Sequence, residues 1–541
     1  MAATAPDAAP ARRLPRVWSI VFWATAVLTA LPLFATRYVP LTDVPEHVAV
    51  IATLARLLPG GGGAPYEIAL GDSQYLLFHA VGAVLARAIG DAVLANKLLF
   101  ALVAMMWPIS ARALLRAFGR DERLAIFAAM VFWNRATIVG LEPYVASVPL
   151  ALFGLATVVR QMRGASLGRG AAIAAIAMAV FYTHASAFVL FAVTAAALVL
   201  VMVAHDGRSG VGRALATLGA LVPSGILAVL WWRAGSLTDP AAQPQGVDRM
   251  SVSESLGAMP IWTFDVWRSH ADEIAAAIWW TAYAVVVVAS WKKGPGAEPR
   301  EAEPRWLAWT PFACAAGVYL TTPFRIGGAA MLNVRLAPVL TIFALLGLRL
   351  RKDRLGALPL GLAAFAATLT AANAAWQIRA VAREKIGELD TVLSAMAPGT
   401  RLAMLNFDRS SPRTHFWPYP FAGSYHRARG GAIASYSFAE LPHWPVHYAR
   451  GHAPPDHGPF WSFRPCAYRY REDGAFYDYV LVQGAIDPWD GRQGGVGPLF
   501  VAVARAGVFT LYAKADGPPA DGPAGEPDHG PCRSRRDPRP L

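Results

Sequence analysis

Charge is what this chain has least of: only 16% of its 541 residues are Asp, Glu, Lys or Arg. Soluble domains carry about 25%, so the deficit excludes an ordinary water-soluble globule. Cysteine is nearly absent. Cys314, Cys466 and Cys532 are too few and too widely separated for a disulfide framework or a zinc knuckle. No GxxxxGK[ST] loop occurs, which removes support for nucleotide-driven transport. No GxSxG element occurs either, so a serine-hydrolase site has no sequence basis. Internal repeats, common in transporters, are also missing.

What is present is apolar. Hydrophobic residues make up 55% of the chain and the mean hydropathy is +0.37. They fall in repeated runs near the ~20 residues that a helix needs to cross the hydrocarbon. The net charge of +13 would suit nucleic acid, but the basic residues sit in short loops between apolar runs and make no basic-aromatic surface, so no nucleic-acid partner is expected. The fold class expected is an α-helical polytopic membrane protein of about 11–13 transmembrane helices with a small C-terminal α/β extramembrane domain.

Spans are expected near 17–35, 92–111, 122–138, 144–160, 170–184, 186–204, 213–232, 271–290, 306–322, 331–348 and 355–373. With the N-terminus (1–16) inside, every strongly basic loop lands on one side, as the positive-inside rule requires. That places the chain in a bacterial inner membrane with its C-terminal domain outside. Segment 75–89 is apolar but would flip the parity if it crossed, so it reads as a bent or interfacial helix. The run 171–203 is too long for one span and reads as a hairpin with Tyr182-Thr183-His184 at its outer turn.

Two external loops follow, at 36–74 and 233–270. In the first, 46–58 has apolar residues at helical spacing and reads as an amphipathic helix on the membrane surface, with Pro45 in its first turn. In the second, Trp262 and Trp267 are expected at headgroup level. The membrane domain is taken as 17–375. Segment 376–515 forms the outer domain, with strands at 401–407, 477–483 and 500–513 and a hairpin turn at Arg505-Ala506-Gly507. The Pro/Gly-rich tail 516–541 is expected to be disordered.

The chemistry concentrates just after the first span, in Leu41-Thr42-Asp43-Val44-Pro45-Glu46-His47. The plain reading is a helix start: Asp43 caps, Glu46 complements the helix dipole and His47 packs. The alternative is a reactive group at headgroup depth. Arg325 and Arg335 lie at the outer ends of late spans, where an ionisable side chain marks function unless it snorkels to the headgroups. Arg135 and Glu142 flank one outer turn and could simply pair. His415, His426, His443 and His447 suggest a solvated, aromatic-rich outer surface.

The stretch from Arg37 to Trp133 resembles the GT-C superfamily of integral-membrane, polyprenyl-phosphate-sugar-dependent glycosyltransferases. The residues that carry the resemblance are the Asp43-Val44-Pro45-Glu46-His47 group, Gln74-Tyr75-Leu76-Leu77-Phe78, Ile89-Gly90-Asp91, Asn96-Lys97-Leu98 and the basic turn Leu115-Arg116-Ala117-Phe118-Gly119-Arg120. Gly140-Leu141-Glu142-Pro143-Tyr144 and Tyr182-Thr183-His184 look like features of its bacterial branches. Lys97 stands where the family often has Arg.

The resemblance implies sugar transfer from a polyprenyl-phosphate donor to a lipid, glycan or protein acceptor on the outer face. Asp43 would be the base, with Glu46 as the alternate. Arg325 and Arg335 would hold the departing phosphate, and Lys97, His47 and His184 would contact substrate. Asp43, Glu46, His47 and His184 are also the candidates for a divalent cation. Membrane lipids complete the expected partners. The rivals are a transporter or flippase of lipid-linked glycans and a non-catalytic scaffold. The enzyme reading requires Asp43 to share one chamber with cations from the late helices.

Overall fold

The fold is seen in a computed structural model that describes residues 16–58, 65–69, 73–233, 246–291, 305–327, 329–351, 354–441, 443–455, 461–468, 473–484 and 499–515. The expectations for 1–15 and for the tail 516–541 lie outside the described residues. The chain is mostly helical, with a small β-rich domain at its C-terminal end.

Among the described residues, seven helices are long and apolar enough to cross a membrane: Arg16–Phe34, Ala92–Ala117, Glu142–Arg163, Ala185–Asp206, Arg208–Arg233, His270–Ser290 and Gly356–Lys385. The other expected spans are shorter or broken. Helices Leu167–Thr183 and Arg305–Thr321 have 17 residues each. The expected span 331–348 is a short helix, Ala337–Ala344, with a single 3₁₀ turn at either end.

The expected span 122–138 is not one helix. It runs as Glu122–Ile126, Phe127–Val131 and Arg135–Val139. Asn134 causes the last break, because its side chain accepts from the Thr137 N–H at 3.2 Å and starts a new helix. Irregular backbone at this depth survives only inside protein, and residues 124–134 are all buried.

The segment 76–89 is a helix, Leu76–Ile89, that does not cross. Gly90 ends it at φ +81°, and Asp91 caps the next helix by accepting from the N–H groups of Val93 and Leu94 at 2.8 and 3.1 Å. Asp91 lies 3.7 Å from Arg37, and Lys97 donates to the Thr36 carbonyl at 2.7 Å, so this helix begins and ends on the side where span one emerges.

The basic loops gather at the opposite end. Arg112 and Arg116 pair with Glu122 at 2.8 and 2.6 Å, Arg160 donates to the Ala113 carbonyl, and Thr217 beside Arg213 reaches Met162.

The C-terminal sheet has the order 433–434, 401–406, 479–483, 509–514, 500–506. The first three strands are parallel and the last two antiparallel. Gly507, at φ +55°, makes the hairpin turn. The domain is sewn onto the membrane part: Tyr66–Ile68 of the first external loop pairs with Val446–Tyr448. Trp267 bridges to Thr414 and is buried together with Trp262, so both tryptophans pack inside the protein. The last long helix runs unbroken from Arg354 to Lys385, past the expected domain boundary at 375, because nothing in its Ala-rich sequence there stops it.

Candidate active site

The site is built around the helix Val44–Leu57, which has Pro45 in its first turn as its sequence predicts. It is not a surface helix. Residues 44–54 are all buried, because the C-terminal domain covers the polar side. Glu46 explains how. Its oxygens accept from the Arg427 guanidinium at 3.1 Å, the Phe438 N–H at 2.8 Å and the Ser424 hydroxyl, all in the C-terminal domain. Both members of the Glu46–Arg427 pair are fully buried. Glu46 therefore holds the two parts of the molecule together, and its lone pairs are committed there.

Asp43 stands at the cap position of the same helix but does not cap it with its side chain. Its backbone makes the contacts: the N–H donates to the Val139 carbonyl at 3.1 Å, and the carbonyl accepts from the N–H groups of Glu46 and His47. No hydrogen bond among the described residues reaches its carboxylate. Burial pushes this carboxyl up to about 8; nearby Glu46 adds to the rise, while the Arg335 guanidinium opposes it.

Arg335 comes from the 3₁₀ turn Val334–Leu336 and is 5% exposed. It is braced on three sides: Nε donates to the Met331 carbonyl at 2.9 Å, Nη2 donates to the Ala330 carbonyl at 2.5 Å, and the guanidinium lies 5.5 Å above the Tyr144 ring. Tyr144 returns a hydrogen bond to the Arg335 carbonyl at 2.8 Å.

His184 forms the corner between helices Leu167–Thr183 and Ala185–Asp206. Its Nδ1 accepts from the Ser186 N–H at 3.2 Å, so in the neutral ring the proton sits on Nε2. That nitrogen lies 3.4 Å from Arg335 Nη1. The imidazole and the guanidinium are therefore in direct contact.

The other predicted residues lie elsewhere. Lys97 is with Thr36 and Phe34, beside the Arg37–Asp91 pair. Arg325 lies in a small ribbon with strands 247–248 and 329–330 that leads toward Arg335. Both nitrogens of His47 face other polar atoms, His79 Nε2 and the Gly140 carbonyl.

Arg135 does not pair with Glu142. It binds Asp265, at 2.5 Å, which also accepts from His415 at 2.7 Å. Glu142, buried at the start of its span, accepts from Asn96 at 3.0 Å, has its second oxygen unpartnered and feels the Asp43 charge. Its signal in the sequence was an acid opening an apolar run, which pairing with Arg135 explained away. His426 and Trp444, expected on a solvated surface, are buried. Among the described residues no group of three or more His, Cys, Asp or Glu side chains is arranged to hold a metal ion.

No protein-family model matches the chain, and no curated protein matches it. A solved structure does: the crystal structure of ArnT from Cupriavidus metallidurans in the apo state, with a TM-score of 0.55, 12% identity, and coverage of 92% of this chain and 98% of that one. The chain shares the fold of that structure. The match takes in the C-terminal domain as well as the helices, since coverage is nearly complete on both sides.

Proposed function

We propose that the chain is a membrane glycosyltransferase that moves a sugar from a polyprenyl-phosphate carrier to a hydroxyl of a lipid, glycan or protein acceptor at the outer face of the membrane. The observation that carries this reading is a carboxylate without a hydrogen-bond partner, Asp43, in the field of the buried Arg335 guanidinium, which lies against His184. A sugar on polyprenyl phosphate already has a good leaving group. It needs a base for the incoming hydroxyl and positive charge for the departing phosphate, and no second carboxylic acid.

Asp43 would take the acceptor proton as the acceptor oxygen bonds to the sugar's anomeric carbon. The phosphate leaves with the electrons of the old glycosidic bond. Its oxygen would be met by the Arg335 guanidinium, which is held against Tyr144 and two carbonyls before any substrate arrives, with His184 beside it. The fold shared with ArnT agrees with this donor class. The disulfide at Cys466 fits an outer, oxidising compartment.

The test is turnover of a polyprenyl-phosphate sugar by the chain in membranes. Asp43→Asn is expected to lower kcat by about 10²–10⁴-fold, the usual contribution of a general base. Wild-type turnover in that variant overturns Asp43 as the base.

A further inference from the structure

His79 belongs to none of the groups discussed so far, yet the helix Leu76–Ile89 brings its fully buried ring against His47. His47 Nδ1 and His79 Nε2 are 3.0 Å apart. The remaining nitrogen of each ring faces a backbone carbonyl: His47 Nε2 lies 2.9 Å from the Gly140 oxygen, and His79 Nδ1 lies 2.6 Å from the Tyr75 oxygen. A carbonyl oxygen only accepts, so both outer nitrogens carry protons. Two neutral imidazoles would then turn lone pairs toward each other across the 3.0 Å contact. All three contacts coexist only when the pair holds a further proton between the rings.

Burial works against the added charge and holds both imidazoles below the ordinary histidine range, and the aromatic walls of the site offset it. Trp444, Phe438 and Phe78 lie 5.4, 5.6 and 6.2 Å from the His47 ring, and Trp444 is 5.1 Å from His79. Aromatic rings attract a cation, and none of these titrates. The acids on His47's own helix are engaged elsewhere, Glu46 by Arg427 and Asp43 in the field of Arg335.

What the pair grips is the turn beneath Asp43. Gly140 has φ +82°, and a Cβ there would fall 2.8 Å from the Asp43 backbone nitrogen. The adjacent Val139 and Ile138 carbonyls accept from the N–H groups of Asp43 and Thr42 at 3.1 and 3.2 Å.

We propose that His79 is a positioning residue: by donating to His47 it fixes His47 on Gly140, and the 138–140 turn then sets where the Asp43 carboxylate stands. This rests on Asp43 as the base of sugar transfer, and the experiment keeps the two apart. Nitrogen-15 spectra of histidine-labelled full-length protein in lipid nanodiscs should show three protonated ring nitrogens in the pair, whatever the reaction. His79→Ala removes the donor to His47 and should lower kcat about tenfold or more, with the donor KM within about twofold. His79→Gln places an amide N–H where Nε2 stands, needs no extra proton, and should keep kcat within about threefold of wild type. Two neutral rings in the wild-type spectrum, or a Gln variant whose kcat falls about tenfold or more below wild type, overturns the proposal, and both readouts hold if the Ala variant fails to fold. Should Asp43→Asn retain turnover while the spectrum shows the shared proton, the sugar-transfer base is lost and the histidine pair stands.

Discussion

At the scale of single residues, Asp43 occupies a helix cap while leaving its carboxylate unused for capping. That combination is what the proposed base requires, and it sets the pH behaviour. The carboxyl is pushed up to about 8, and only its deprotonated form can take a proton from the acceptor. Because kcat/KM reports the free enzyme, it is expected to climb with pH about tenfold per unit below about 8 and to level off above. Stability should run the other way. A carboxyl raised in the folded state favours folding of the protonated form, so wild type loses stability as pH rises from the ordinary carboxylate range through about 8. Asp43→Asn should lack that loss, and melting curves across this window check it; parallel pH profiles for both proteins would mean that the carboxyl titrates normally. Asp43 was legible because it is an acid in the first loop after a span. Arg335 was legible because a charge at a span end demands an explanation. His79 was not, since nothing local distinguishes a histidine inside an apolar run from a packed one; its meaning comes from a ring 32 positions away.

At the scale of elements, the helix Val44–Leu57 shows where a correct local reading stops. Its spacing and its proline start are in the sequence, but its burial comes from a domain nearly 400 residues later, through Glu46 and Arg427. Sequence proximity grouped Glu46 with Asp43, whereas three-dimensional pairing divides them. The division has a measurable form. Glu46→Gln leaves a buried guanidinium without its counter-charge, which should cost about 3–5 kcal/mol of stability. Replacing both partners, with Glu46→Leu and Arg427→Met, should recover most of that loss, because a well-packed apolar pair avoids the desolvation penalty. Thermal unfolding in detergent measures both. If Glu46→Gln abolished turnover with unchanged stability, Glu46 would belong with the reactive groups instead. The broken crossing 122–139 escaped the sequence for a similar reason. Hydropathy reports that a segment is buried, while the interruption depends on Asn134 bonding the backbone and on neighbours that shield the freed carbonyls.

At the scale of the whole molecule, alternation of basic and site-bearing ends gives the chain its polarity. Arg112, Arg116, Arg160 and Arg213 gather at one end, while Asp43, Arg335, His184 and the C-terminal domain share the other. If lysine- and arginine-rich loops stay in the cytosol, the site opens outward, where lipid-linked sugars would be used without nucleotide donors. The orientation can be read with single-cysteine probes in a background where Cys314 is replaced. Ala395 is exposed on the C-terminal domain and Ala165 is exposed in the basic loop between two spans. A membrane-impermeant maleimide applied to intact cells should label Ala395→Cys and spare Ala165→Cys until the membrane is opened. The reverse pattern would put Asp43 on the cytosolic side and remove the outer-face reaction, even with the fold and the placement of Asp43 and Arg335 unchanged. Labelling thus tests the direction of the proposed site independently of its chemistry, because neither labelled position is one of its residues.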